Sequence, residues 1–269
     1  MIYPLVKNYD KRVDALAEKF WPGPLTIILE KSDMVPNVVS ANLNTVAIRF
    51  PSNEVARALI SEANVPVTAP SANLSGSPSP TSAKYVIEDL SGRVDCILNS
   101  HNCSLGVEST VISLVGKRPR LLRPGFITIE ELVEVLGEID VDKAVYESIS
   151  NDTVVNAPGM KYKHYAPKAR VIVVKGSFGK YKSFVEQNKT EKTVAMCFTG
   201  EGKSLEIPFI EYGFENDSSD QASKLFDALR KVDEMGANSV FVRSPGCKGV
   251  GLAVTNRLLK AAGFEVIEL

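Results

Sequence analysis

The sequence predicts an α/β protein of two domains, the first built on a mixed sheet with helices and the second on a smaller parallel sheet. Three observations predict it. Apolar runs of strand length and stretches of helical spacing follow one another without strict alternation up to about residue 145. A polar stretch with Pro, Gly and no sustained period then occupies 146–168. From 169 to 269 strand and helix patterns alternate regularly. The 269 residues suffice for two domains, and 44% apolar with 23% charged residues is the balance of a globular chain with a real core.

Each element has a local reason. Lys11–Phe20 carries Val13, Leu16, Ala17 and Phe20 on one helical face, and Pro22 and Pro24 end that helix before a strand at Leu25–Leu29. Further strand-length runs are Thr45–Phe50, Val65–Ala69, Asp95–Leu98, Val111–Val115 and Arg120–Leu122, with helices at Glu54–Ala63 and Ser82–Leu90. Thr81 is placed to cap the second of these and Gly92 to stop it. Thr128 with Glu131 forms a capping-box pattern opening Ile129–Leu136, which Gly137 closes. These elements define a first domain over 1–145, and 146–168 reads as a linker. In 169–269 the order is strand Arg170–Lys175, helix Lys180–Glu186, strand Thr193–Phe198, extended Ile207–Tyr212, helix Gln221–Met235, strand Ser239–Val242, helix Leu252–Ala262 and strand Glu265–Leu269. That is a small Rossmann-like pattern, although its first strand–helix turn, KGSFGK, holds only a fragment of the dinucleotide fingerprint.

Composition excludes several classes of function. Lys plus Arg total 31 against 32 for Asp plus Glu, a net charge of −1, so nothing draws nucleic acid generally. A weak RNA contact would have to use a local cluster such as KRPR at Lys117–Arg120, which a charged β-turn explains as well. Cys96, Cys103, Cys197 and Cys247 are scattered, which fits reduced thiols in the cytoplasm and not a disulfide framework or zinc site. The start has no signal-peptide core, and no apolar run nears the roughly 20 residues that span a bilayer, so no membrane partner is expected. No GxxxxGK[ST], HExxH or GxSxG motif occurs, and only His101 and His164 are available to a Ser-His-Asp arrangement.

The richest stretch is Val65–Tyr85, in which an apolar run empties into a loop with five serines, two threonines, one Asn and one Gly before a helix. Ser71, Asn73, Ser75 and Ser79 can point neutral donors at phosphate or carboxylate oxygens there. Composition alone explains the same loop as plain surface. Arg49 lies in the apolar strand TVAIRF, where an unpaired guanidinium would be costly, so it faces an anion, a wet cleft or a buried carboxylate. Ser109 and Thr110 set hydroxyls at a strand edge, and Arg123 stands where a strand breaks into a turn, its planar fork suited to phosphate. Singly, each has an ordinary structural explanation. Together they describe an anion- or nucleotide-binding α/β domain that works through hydroxyls and arginines.

FWPGPLTIIL (Phe20–Leu29), TVAIRFP (Thr45–Pro51), APSANLSGSPSPT (Ala69–Thr81), ESTVISL (Glu108–Leu114) and LLRPG (Leu121–Gly125) occur together and in this order. That set resembles the YrdC-type threonylcarbamoyl-AMP synthases, and APGMKYKHYAPKA (Ala157–Ala169) resembles the linker of their long form. The resemblance implies a YrdC-like twisted mixed sheet, incomplete at its amino terminus, followed by a Rossmann-like domain. It implies an enzyme that joins ATP, L-threonine and bicarbonate into threonylcarbamoyl-AMP and pyrophosphate. Sister transferases then carry the threonylcarbamoyl group to tRNA. Carried over by position, Thr45, Ser71, Asn73, Ser79, Arg123 and Tyr162 contact ATP, whereas Arg49, the backbone at Ala69, and Ser109 meet threonine. No single catalytic residue is implied, and Mg2+ travels with the triphosphate without a protein metal site. The family's Lys-x-Arg element, usually KGRP ahead of FWPGPL, has no counterpart here, and Lys11-Arg12 stands too close to replace it. Weak or absent synthase turnover is therefore expected of this chain. The alternatives are a nucleotide- or RNA-binding remnant without turnover, and a YrdC-type carbamoyltransferase, against which the long-form linker argues.

Overall fold

The structure is a computed structural model of the chain, described over residues 1–147 and 165–269. Most of the expected linker, with Tyr162 and His164, lies outside the described residues. Along the chain the elements are α1 (Arg12–Phe20), β1 (Leu25–Glu30), β2 (Thr45–Arg49), α2 (Glu54–Ala63), α3 (Ala83–Leu90), β3 (Thr110–Ser113), β4 (Arg120–Arg123), α4 (Ile129–Leu136) and β5 (Asp140–Val141). They continue with β6 (Arg170–Lys175), α5 (Phe178–Asn188), β7 (Thr193–Cys197), β8 (Phe209–Glu211), α6 (Ser218–Glu234), β9 (Ser239–Arg243), α7 (Gly251–Ala261) and β10 (Val266–Glu268). Among the described residues no helix is long and apolar enough to cross a membrane.

Two compact units emerge. The first contains residues 1–70 and the described part of 108–161. Its sheet runs β2-β1-β3-β4-β5, with β1 antiparallel to β2 and parallel to β3, and β4 antiparallel to β3 and parallel to β5. Period-2 alternation turns Leu25, Ile27, Leu29, Ile112 and Leu121 to one face, where they pack with Val13, Leu16 and Phe20 of α1 and Leu132 of α4. Each such side chain contributes about 1.5–3 kcal/mol on burial. The predicted capping box is present: the Thr128 hydroxyl accepts from Glu131 N–H at 3.3 Å, and the Glu131 carboxylate accepts from Thr128 N–H at 2.9 Å. Thr128→Ala is expected to lower stability by about 1 kcal/mol. A fall in the urea midpoint with unchanged slope is the check.

α2 is capped by the Asn53 side chain, which accepts from Ala56 N–H, yet it buries none of its residues. Two expected strands are not formed. Val65–Ala69 and Asp95–Leu98 are irregular, and Val65, Val67 and Leu98 are exposed. An apolar run becomes a strand only when a neighbour completes its ladder, and neither segment pairs with any described strand. The cap of α3 also differs, being Ser82 instead of Thr81.

The second unit contains residues 71–107 and the described part of 162–269. Its sheet, β10-β6-β9-β7-β8, is wholly parallel. Val171, Val173, Val194, Met196, Val240 and Val242 face a core shared with α6 and α7, while Ile172, Val174, Ala195, Cys197 and Phe241 face one shared with α5. Covering both faces explains why these strands read as continuous apolar runs. This is the doubly wound, Rossmann-like arrangement that the strand–helix alternation predicted. Cys197 is buried, and burial pushes its thiol up to about 12.

Candidate active site

In the first unit the face of the sheet opposite that core carries a small apolar cluster of Ile28, Val111, Leu122 and Ala144, and beside it a set of polar groups. Thr26 alternates with Leu25 and Ile27 on β1 and so turns away from the α1–α4 side. Register places Thr26 opposite Arg49 of β2 and beside Val111 of β3, and Val111 opposite Arg123 of β4. Residues paired in this way share a face, so Arg49, Thr26 and Arg123 form a row across four strands.

Ser109, just before β3, joins the row. The hydroxyls of Thr26 and Ser109 are 2.7 Å apart. Arg123 donates from Nε to the Ser109 carbonyl at 3.1 Å and from Nη2 to the Ser109 hydroxyl at 3.2 Å. Arg49 donates from Nε to the Gly23 carbonyl at 3.1 Å, tying its fork to the FWPGPL turn. Regular alternation would have put Arg123 on the face of Leu121, in the core. The register shifts between Val111 and Ile112, so that Arg123 stands opposite Val111 and Leu121 opposite Ile112, with Leu122 as the extra residue. This bulge turns Arg123 to the polar face.

The turn after β4 explains why LLRPG and ESTVISL belong together. A Cβ at Gly125 would lie 2.3 Å from the Thr110 nitrogen and 2.7 Å from the Ser109 carbonyl carbon, so only glycine lets the turn approach β3 this closely. The buried Thr110 hydroxyl donates to the Ile127 carbonyl at 2.7 Å and fastens the turn from the other side.

The remaining predicted residues are placed as follows. Thr45 is half-buried at the start of β2, paired with Glu30 and on the face of Arg49 by alternation. Ala69 is exposed in irregular chain. Ser71, Asn73 and Ser79 belong to the second unit and share one loop, with Ser71 exposed and Ser79 buried. Asn73 staples that loop, its Nδ2 donating to the carbonyls of Leu74 at 2.7 Å and Ser77 at 3.2 Å. Its buried Oδ1 has no partner among the described residues. Tyr162 lies outside them.

Sequence reasoning missed Thr26, whose only signal was a hydroxyl at an alternating position of FWPGPLTIIL. It also missed Asp89 and Arg230, described below. Among the described residues no group of three or more His, Cys, Asp or Glu side chains could hold a metal ion. The row offers two guanidinium groups and two hydroxyls, with no nucleophile–base pair. Such a set of donors can orient anions and balance their charge.

Fold and site thus define an α/β domain with a row of guanidinium and hydroxyl donors on one sheet face, and a Rossmann-like domain. A family model for Sua5/YciO/YrdC proteins, described as telomere recombination, matches residues 1–125, and one described as the C-terminal domain of threonylcarbamoyl-AMP synthase matches 127–263. A threonylcarbamoyl-AMP synthase of Pyrococcus abyssi is 43% identical over 98% of this chain and 78% of its own length. That of Bacillus subtilis is 41% identical over 96% and 75%. The crystal structure of P. abyssi Sua5 complexed with L-threonine superposes with a TM-score of 0.92 at 42% identity, covering 100% of this chain and 78% of that one. The chain belongs to the threonylcarbamoyl-AMP synthase family, nucleotidyltransferases of tRNA threonylcarbamoyladenosine modification.

Proposed function

We propose that this chain uses ATP, L-threonine and bicarbonate in the cytoplasm, with Thr45, Ser71, Asn73, Ser79, Arg123 and Tyr162 contacting ATP and Arg49, the Ala69 backbone and Ser109 contacting threonine. The threonine amine adds to the bicarbonate carbon and water leaves. A carbamate oxygen then attacks the α-phosphorus of ATP and pyrophosphate departs. The reaction asks the protein for orientation and charge balance, not for a covalent intermediate. The observation that carries the reading is the Arg49–Thr26–Ser109–Arg123 row. It sets guanidinium and hydroxyl donors on one sheet face, in a protein whose relative is described in complex with L-threonine. Magnesium, where it acts, would arrive on the triphosphate, because the donors present are cations and hydroxyls and not carboxylates. The product is an activated mixed anhydride for a downstream tRNA-modifying transferase.

The deciding experiment is pyrophosphate release from ATP: however weak the turnover, it should require both threonine and bicarbonate. Release that ignores either, or a product formed from carbamoyl phosphate in place of bicarbonate, would overturn the reading. Ser109→Ala removes the hydroxyl shared by Thr26 and Arg123 but keeps the backbone carbonyl that holds Arg123. It should weaken threonine binding about tenfold, the loss of one charge-assisted hydrogen bond, as read by calorimetry. A remnant that only binds RNA is less well supported. Arg118 of the KRPR cluster lies against Glu138 at 3.2 Å and Asp140 at 3.9 Å, which offsets its charge.

A further inference from the structure

We propose that Arg230 of α6, acting with Asp89 of α3, is a positioning residue that clamps the Asn73–Ser79 loop in its nucleotide-binding shape. The inference rests on the reading above that this loop contacts ATP. Asp227, Arg230 and Glu234 recur at i, i+3 and i+7 and so share one face of α6. Within the second unit that face meets α3: Tyr85 donates to Asp227 at 2.9 Å and Lys84 to Glu234 at 2.6 Å. Between them lies the buried pair. Arg230 donates from Nη1 to Asp89 Oδ1 at 3.0 Å and from Nη2 to Asp89 Oδ2 at 2.6 Å. The same fork reaches the Pro78 carbonyl from Nε at 3.0 Å and from Nη2 at 2.6 Å. Asp89 Oδ2 also accepts from Leu74 N–H at 3.2 Å.

The pair therefore grips the loop twice, at Leu74 beside Asn73 and at Pro78 beside Ser79. Arg230 and Asp89 are each 8% exposed, and two charges so far from water are not a route to stability, since an apolar pair of similar volume would serve as well or better. What an apolar pair lacks is the reach to two backbone groups of the loop. A loop held in its bound shape spares the ordering entropy that a ligand would otherwise have to offset. The guanidinium keeps the Asp89 carboxyl below the usual carboxylate range, so its acceptor oxygens stay ionised for the Leu74 amide.

The test replaces the pair by Asp89→Leu with Arg230→Met in the full chain and measures ATP binding by calorimetry, threonine binding, unfolding, and hydrogen exchange at residues 73–79. The expected result is wild-type threonine affinity, about tenfold weaker ATP binding, faster exchange in the loop, and a folded protein whose stability falls by no more than the unpaired Leu74 amide and Pro78 carbonyl cost. If the apolar pair does not fold, Arg230→Lys carries the same test: an ammonium cannot make the fork and the Pro78 contacts together, so it too should lose ATP affinity. A folded variant that binds ATP as the wild type does overturns the clamp. Ser79→Ala separates the two ideas. If it weakens ATP binding while the pair variants do not, only the clamp fails; if it leaves ATP binding unchanged, the reading of the loop fails and the clamp with it.

Discussion

Arg123→Ala is expected to weaken ATP binding by about 50-fold, on the order of 2.3 kcal/mol, the range of a hydrogen bond to a charged group. The size follows from how the side chain is held. Ser109 takes Nε through its carbonyl and Nη2 through its hydroxyl, so the plane of the guanidinium is fixed before any ligand arrives. Thr26 fixes the Ser109 hydroxyl in turn. Such preorganised donors hold a phosphate without reorganising for it. Arg123→Lys should recover little, because one ammonium cannot satisfy Ser109 twice and still face a ligand. Arg123 is half-buried at a strand end, so the alanine variant should stay folded, with circular dichroism unchanged. Wild-type ATP affinity in that folded variant would remove Arg123 from the site.

How legible these features were depended on where their energy resides. The strand at Arg170–Lys175 and the Thr128–Glu131 cap are local: the first is a β-branched run covered on both faces, the second two side chains three residues apart. Both were read correctly. Val65–Ala69 has the same apolar look, but its ladder needed a neighbour that local sequence cannot report. At the site, Arg49 announced itself because a charge inside an apolar strand demands an explanation. Thr26 did not, since a hydroxyl on an alternating position costs almost nothing. The bulge that turns Arg123 out of the core is a product of β3–β4 register, which exists only once the strands pair. Asp89 and Arg230 carry no such local signal, each being one charge within a helix. Their pairing, 141 residues apart, is wholly tertiary.

Gly125→Ala should destabilise the first unit by about 3 kcal/mol, the upper end for overpacking a rigid site. The new Cβ would sit 2.3 Å from the Thr110 nitrogen, 2.6 Å from its hydroxyl and 2.7 Å from the Ser109 carbonyl carbon, and two of those three atoms are backbone. No rotamer change relieves it. The Thr110 amide meanwhile donates to the Pro24 carbonyl at 2.9 Å, at the start of the β1–β3 ladder, so β3 can retreat only by loosening that ladder. At about 4 °C per kcal/mol, where the ranges for smaller and larger domains meet, the melting temperature should fall by roughly 12 °C. Gly116→Ala is the control: φ is +97° there, but nothing lies within 4 Å of the added carbon. It should show only the strain of a left-handed alanine, about 1–2 kcal/mol. The two glycines also separate by ligand. Displacing Ser109 and Arg123 from each other should weaken ATP and threonine binding in Gly125→Ala well below its melting transition, while Gly116→Ala binds both normally. Equal melting temperatures for the two variants, or unimpaired binding by folded Gly125→Ala, would mean that the close approach of the turn to β3 does not hold the row of donors in place.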